Sequence, residues 1–310
     1  MAQIILEFLA ASIRIATPMI FAAMGAILAE QAGVFAVGLE GMMLAGAFGA
    51  AVATAATGSV AAGLVASLAG GAVIGAVVAI VALRLRADQM VTGLAANMLA
   101  AGLTSFLLRT IVGHGRAPTI RLPLLEAWAV PGLSALPVIG PLLFRQPPLT
   151  DLAFVAFVPL AWFIGRTHAG LRLRAVGENP VAAYAVGANP TRIRAWATIA
   201  GAALAGLGGA VLVLQQVGTF TDAMTGGRGF LALAAVIVGR WRPGATVAAC
   251  LVFGAAEALQ LRVQAFGLPV SSYVVQMLPY LIALVVLAGL ARSARVPAAL
   301  GVAYEGNRPT

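Results

Sequence analysis

Six charged residues are all that interrupt the 98 residues from Ile15 to Val112: Glu30, Glu40, Arg84, Arg86, Asp88 and Arg109. A helix at a water-facing surface needs a polar face beside its apolar one. A run this long without such a face is solvated by lipid, in which about 20 apolar residues cross the hydrocarbon as a helix. The same texture continues to the end of the chain. Nine apolar stretches stand out: 15–30, 33–56, 60–83, 89–112, 150–166, 195–217, 227–239, 244–262 and 271–291. Lipid offers no partner to open backbone groups, so the expected fold is all-α and polytopic, with nine or ten membrane-crossing helices in one domain over 1–310. Segment 1–13, with Glu7 and then Arg14, reads as an amphipathic or re-entrant lead-in. The stretch 227–239 is too short to cross and reads as half of a broken helix. No short leader with a cleavage site precedes the first apolar stretch, which therefore reads as mature protein.

Composition adds exclusions. Hydrophobic residues make up 61% of the chain and charged ones 9%, against about 45–50% and 25% in soluble domains. That leaves too little polar surface for a soluble enzyme. The net charge of +9 comes from 19 basic residues, all of them Arg. Without Lys there is no P-loop lysine and no Schiff base, so the chain does not split ATP in the P-loop manner. The single cysteine, Cys250, forms no internal disulfide and reads as a core residue. His114 and His168 stand far apart, so neither a metal nor a cofactor is expected. The positive charge reads as membrane topology rather than nucleic-acid binding. Arg84 and Arg86, the group Arg166, Arg172, Arg174, Arg192 and Arg194, the pair Arg240 and Arg242, and Arg292, Arg295 and Arg308 all fall on one side when nine spans alternate. By the positive-inside rule that side is the cytoplasm, which places the C-terminus there. The N-terminus is outside with nine spans and inside with ten.

A shift of 187–188 residues lays Gly38-Leu39-Glu40-Gly41-Met42 on Gly226-Gly227-Arg228-Gly229-Phe230. It also lays Val60–Leu64 on Val247–Leu251, and Gln89-Met90 on Gln276-Met277. Five spans separate the copies, so they run in opposite directions: an inverted repeat with halves near 33–112 and 220–291. In transporters the solute path lies at the interface of such halves, often beside interrupted helices. Glu40 and Arg228 are ionisable residues within or beside apolar sequence and are candidates for lining a path, or else for anchoring loops at the membrane border. Asn97, Gln89 and Gln276 could hydrogen-bond a polar solute or another helix; the pair Gln215-Gln216 stands in the same position. Glu257 lies deep in its span. Arg262, five residues on, is badly placed to pair with it along the helix, so a partner on a neighbouring helix is expected.

Between the fifth and sixth stretches, 167–194 forms a polar loop. Within it Asn179 is an N-cap, Pro180 fits the first turn, and Gly187 is a natural stop. These define a two-turn helix, 180–186, and Asn189-Pro190 caps the helix that follows. The short helix reads either as a docking element for a cytoplasmic subunit or as an ordinary structured loop.

At this point the chain resembles a known family. The stretch Gly33–Ala47 carries it, with Pro131-Gly132-Leu133 through Pro137–Pro141, Gly170–Pro180, Thr225–Phe230 through Gly239-Arg240-Trp241, Gln276–Tyr280 and Ala299–Glu305. It resembles the membrane-spanning permease subunit of ATP-binding cassette (ABC) importers of the ribose and branched-chain amino acid type. The nucleoside permeases that work with a basic-membrane-protein-type binding protein are the nearest in pattern. One departure is visible: Ala36 stands where many members carry Asn. The resemblance implies that the coupling helix is built from Gly177, Glu178, Asn179, Pro180, Ala182, Ala183, Tyr184 and Gly187. It also implies a cytoplasmic ABC ATPase, a second homologous permease (expected as a heterodimer), an extracytoplasmic solute-binding protein, and residence in a bacterial inner membrane. Two other readings stay open. An ion-gradient transporter would use Glu40 or Glu257 as proton carrier. A membrane enzyme has less to stand on, since the spans hold no catalytic constellation.

Overall fold

The structure, a computed structural model, describes residues 2–112, 119–129, 140, 142, 144–265, 275–290 and 296–304. Seven helices among the described residues are long and apolar enough to cross a membrane. The first, α1 (Ala2–Gln31), is one continuous helix and absorbs the lead-in expected at 1–13. Pro18 lies inside it. A proline has no N–H to give to the carbonyl four residues back, here that of Arg14. Gln216 supplies the missing donor, its Nε2 lying 2.7 Å from the Arg14 carbonyl oxygen. The helix survives because a side chain 202 residues away completes its ladder.

An irregular connection over 32–38 follows, so α2 begins at Leu39 rather than at 33 and runs to Thr57. Gly58, at φ +68°, closes α2 in the left-handed region that favours glycine, and the Ser59 side chain accepts the Ala62 amide to open α3 (Val60–Ala79). A π-helical turn, Ile80–Arg84, ends that span. Then come α4 (Gln89–Val112), a two-residue strand β1 (Ile120–Arg121) and α5 (Pro148–Arg166). The expected polar loop 167–194 is largely helical: α6 (His168–Glu178), α7 (Pro180–Ala185) and the start of α8 (Pro190–Val211). The last ends in a second π-helical stretch, Leu212–Val217, whose next strand β2 (Thr219–Phe220) pairs antiparallel with β1, Ile120 opposite Phe220. The remaining helices are α9 (Arg228–Val238), α10 (Pro243–Ala265) and α11 (Leu278–Leu290). His114, Arg116, Pro131–Ile139, Pro141, Arg292, Arg295, Glu305 and Arg308 lie outside the described residues.

Helix α8 is the axis of the bundle and packs on α1, α2 and α3. Lipid provides no hydrophobic drive between helices, so close contact of small residues has to supply the packing. Gly25 of α1 and Gly201 of α8 face each other so closely that a Cβ on either would run into the other's carbonyl. A Cβ on Gly46 of α2 would strike the Gly206 backbone of α8, and one on Gly206 would strike the Ser67 carbonyl of α3. Cys250 is fully buried in α10, a core residue as expected.

One end of the bundle gathers the arginines. The Trp241 indole N–H donates to Glu30 at 2.6 Å, and Gln31 donates to the Trp241 carbonyl at 2.6 Å, which fixes the α9–α10 turn against the end of α1. Arg194 is fully buried there, and its guanidinium donates to the carbonyls of Ala32, Ala299 and Val302. The C-terminal segment 296–304 is thereby held on this end, and its Ala299 and Gly301 amides donate to the carbonyls of Gly177 and Gly33.

Candidate functional site

Helix α9 has 11 residues, a length of about 16 Å at 1.5 Å per residue. That is roughly half of a 30 Å hydrocarbon core. Its C-terminal end lies at the arginine-rich end of the bundle, beside Trp241, so its first residue, Arg228, lies about half a hydrocarbon thickness from that end. The N-terminus of α2 arrives at the same level. There the Glu40 carboxylate accepts the amides of Gly227 and Gly229, at 2.8 and 2.7 Å. Glu40 itself stands in the first turn of α2. One carboxylate therefore serves two helix N-termini, each with unsatisfied N–H groups and a positive dipole end. Gly229 must be glycine, because a Cβ there would meet the Glu40 backbone and carboxylate.

Asn97 of α4 closes the junction from the other side. Its Oδ1 accepts the Gly41 amide at 2.8 Å, and its Nδ2 donates to the Val37 carbonyl at 3.0 Å. Gln89, almost wholly buried, accepts the Phe35 amide at 2.8 Å. So Glu40, Asn97 and Gln89 are all engaged in holding the irregular 32–38 connection and the start of α9. Ala36 also joins this network: its amide lies 3.3 Å from Oε1 of Glu30.

Arg228 and Gln276 stand differently. The Arg228 guanidinium pairs with the Glu257 carboxylate of α10, with both side chains mostly buried. The partner expected for Glu257 on a neighbouring helix is thus Arg228; Arg262 instead lies over the Phe8 ring, 5.4 Å from its centroid. The pair lines two cavities. One, of about 210 Å³, is bounded also by Gln260, Gln276, Pro279 and Tyr280. The other, of about 540 Å³, reaches past Arg14, Glu126, Gln215 and Gln216. Arg228 Nε, Glu257 Oε2 and Gln215 Oε1 are buried without a hydrogen-bond partner. Gln260 and Glu126 were not singled out in the sequence, where exposed-looking Gln and Glu residues carry no mark of a cavity. Tyr280, whose hydroxyl donates to the Gly226 carbonyl at 2.8 Å, was noted there only as part of a motif.

At the arginine-rich end α7 covers 180–185, one residue shorter than expected. Asn179 accepts the Ala182 amide at 2.9 Å, Pro180 starts the helix, and Gly187 follows at φ +86°. Gly177 lies under α1, where a Cβ would strike the Gln31 carbonyl. Ala183 turns inward onto Val176 and Ala188. Glu178, Asn179 and Ala182 are exposed, and the outer apolar face is formed by Val181, Tyr184 and Val186. The two valines are legible only once the helix phase is known. Tyr184 lies 6.4 Å from the Tyr304 ring of the C-terminal segment.

Comparison with known proteins gives this arrangement a context. Residues 8–299 match the family described as branched-chain amino acid transport system / permease component. The guanosine ABC transporter permease protein NupQ of Bacillus subtilis is 34% identical over 99% of both chains. The nucleoside ABC transporter permease protein NupC of Lactococcus lactis subsp. cremoris is 35% identical over 93% of both. A glucose ABC transporter permease protein of Haloferax volcanii is 30% identical over 73% of this chain and 62% of its own. No solved structure matches. A permease component is a membrane subunit and not a catalytic one, in keeping with the absence of lysine. On a match that takes in nearly every membrane-crossing helix described above, the chain belongs to the branched-chain amino acid transport system permease family of ABC transporters.

Proposed function

We propose that this permease moves nucleosides across a bacterial inner membrane, inward, as one of two similar membrane subunits served by a cytoplasmic ATPase and an extracytoplasmic binding protein. The observation that carries this reading is the 34–35% identity, over nearly the full chain, to permeases named for guanosine and for nucleosides. The arginine-rich end is read as cytoplasmic, which places 296–304 and α7 on that side. Helix α7 then serves as the docking element for the ATPase. Its outward Val181, Tyr184 and Val186 suit a hydrophobic cleft, and the Asn179 cap with the Gly187 stop keeps it a separate rigid body.

The α2–α9 junction at Glu40 supports an alternating-access role. It joins two helix starts about half a hydrocarbon thickness from the arginine-rich end, one in each half of the inverted repeat. Displacement of α7 passes through Gly177 to the end of α1 and the 32–38 connection, and from there to Glu40. Among the polar residues singled out in the sequence, Arg228, Glu257 and Gln276 line a cavity where they can face a solute, beside Gln260 and Tyr280, while Glu40, Asn97 and Gln89 hold the junction in shape. A nucleoside offers a hydroxylated ribose and a base with mixed donors and acceptors, which suits an uncharged or charge-paired lining of Gln, Arg and Glu.

Reconstitution into vesicles with the ATPase, the second permease and the binding protein tests the reading. ATP-dependent uptake of radiolabelled guanosine, competed by other nucleosides and not by glucose, is expected. Uptake driven by an ion gradient without the ATPase would overturn it. The relative named for glucose favours a second reading, a simple-sugar solute, and glucose competition in the same assay would support that one.

A further inference from the structure

We propose that the arginine-rich end carries a binding site for an acidic phospholipid, seated in the groove between α1, α5, α6 and α8. The groove holds about 380 Å³ and is lined almost entirely by apolar side chains, among them Leu28, Leu160, Phe163, Leu173, Ile193 and Trp196. Its walls come from the last turns of α1 and α5 and the first turns of α8, so it opens at the level where the hydrocarbon meets the headgroups. Trp196 is 71% exposed at its mouth, and an indole in that position belongs to the interfacial belt. A polar solute gains nothing from such a lining, whereas an acyl chain fills it.

Charge at the rim selects the headgroup. Arg192 lines the groove itself, and Arg166 and Arg172 lie within a turn of the lining residues Phe163 and Ala169. All three side chains are exposed and none makes an ion pair among the described residues. Three uncompensated guanidiniums over an apolar slot complement a phosphodiester with an attached acyl chain, and a net negative headgroup more than a zwitterionic one. The groove touches both α8 and α6, which leads directly into α7, so a bound lipid would brace the base of α7 without touching the cavities at Arg228.

The test uses the purified full-length chain exchanged into detergent with equal amounts of phosphatidylglycerol and phosphatidylcholine, with retained lipid quantified by mass spectrometry. Retention of phosphatidylglycerol in excess is expected. Arg192→Gln should lower that preference about fivefold, the effect of one basic residue at a charged lipid surface. Arg172→Gln should act in the same direction, and Ala200→Phe, which fills the groove from its exposed wall, should lower retention of both lipids. Arg145→Gln, at the other end of the bundle, should leave the preference intact. Equal retention of the two lipids by the unmodified chain, or a preference untouched by both arginine substitutions, would overturn the proposal. So would displacement of the lipid by glycerol 3-phosphate alone, which would make the site one for a soluble anion. Loss of ATPase pull-down in Ala200→Phe with lipid retention unchanged would assign the groove to the protein partner and also overturn it. None of these readouts depends on which solute is carried.

Discussion

Oε2 of Glu40 accepts the amide of Gly229 at 2.7 Å across 189 residues of chain, and Oε1 accepts that of Gly227 at 2.8 Å. Two of the stretches that superpose when the sequence is shifted on itself, 38–42 and 226–230, are the stretches that meet. Glu40 faces the start of α9, and Arg228, the residue that the shift lays on Glu40, pairs instead with Glu257. The sequence match is therefore not carried into matching charge at the point of contact. Two helix N-termini need one anion between them, and a second carboxylate at Arg228 would leave two anions repelling each other.

Glu40→Gln should destabilise the protein by about 1.5–3 kcal/mol, the scale of a hydrogen bond to a charged group. The amide retains one acceptor oxygen, but its NH₂ faces a donor. Glu40→Ala removes both acceptors and should cost more. Thermal unfolding of the purified protein in lipid nanodiscs measures the difference; a variant as stable as the parent would remove Glu40 from its role as the shared cap.

How much of this was legible in the sequence depends on how local the cause is. The Asn179 and Asn189 caps, Pro180 and Gly187 act within one turn, and α7 and the start of α8 fall where those residues put them. The apolar stretches give the spans, because the lipid constraint acts on every residue alike. The continuity of α1 was hidden, since Glu7 and Arg14 set 1–13 apart from the span at 15–30, and the Gln216 donor to the Arg14 carbonyl comes from 202 residues away. The uses of Glu40, Asn97 and Gln89 were hidden for the same reason. A polar residue in an apolar run looks the same whether it waits for a solute or holds a backbone amide on another helix. Ala183 illustrates a third limit: in a helix of six residues the inward face is set by neighbours, not by periodicity.

Breaking the Arg228–Glu257 pair from either side should cost about 3–5 kcal/mol, because the remaining charge is left unpaired in a low-dielectric site. The double replacement Arg228→Met with Glu257→Gln should recover a large part of that loss, since no buried charge remains. A double-mutant cycle on thermal stability measures the coupling. If the pair serves only the fold, the double variant transports normally; if it faces the solute, stability returns and transport does not.

Arg194 is the one fully buried arginine among the described residues, and three backbone carbonyls receive its guanidinium. Arg194→Lys keeps the charge but offers a compact ammonium in place of a planar fork, so it cannot span all three acceptors. The expected loss is about 1–3 kcal/mol for each carbonyl left without a donor. The first consequence should be release of 296–304 from Gly33 and Gly177. Limited proteolysis reads this directly: the C-terminal segment should be cut faster in the variant while α2–α4 stay protected. Equal cleavage rates would show that the Ala299 and Gly301 amide bonds hold the segment without Arg194.

The outer face of α7 gives the sharpest test of ATPase docking. Val186 is 85% exposed and Val181 and Tyr184 about half, and the Tyr304 ring lies beside Tyr184 alone. Ala183 is nearly buried, so a charge there would disturb the subunit itself and report on folding rather than docking. Val181→Asp or Val186→Asp places a carboxylate on the exposed side, away from the Tyr184–Tyr304 ring contact. Truncating a central apolar anchor of an interface costs about 2 kcal/mol or more. Association with the ATPase should therefore weaken at least tenfold, while membrane insertion and thermal stability of the permease stay at the parent's values. Co-purification of the complex measures the first and nanodisc unfolding the second. Undiminished co-purification in both variants would mean that the ATPase grips another surface, and the exposed valines would then need a different partner to explain them.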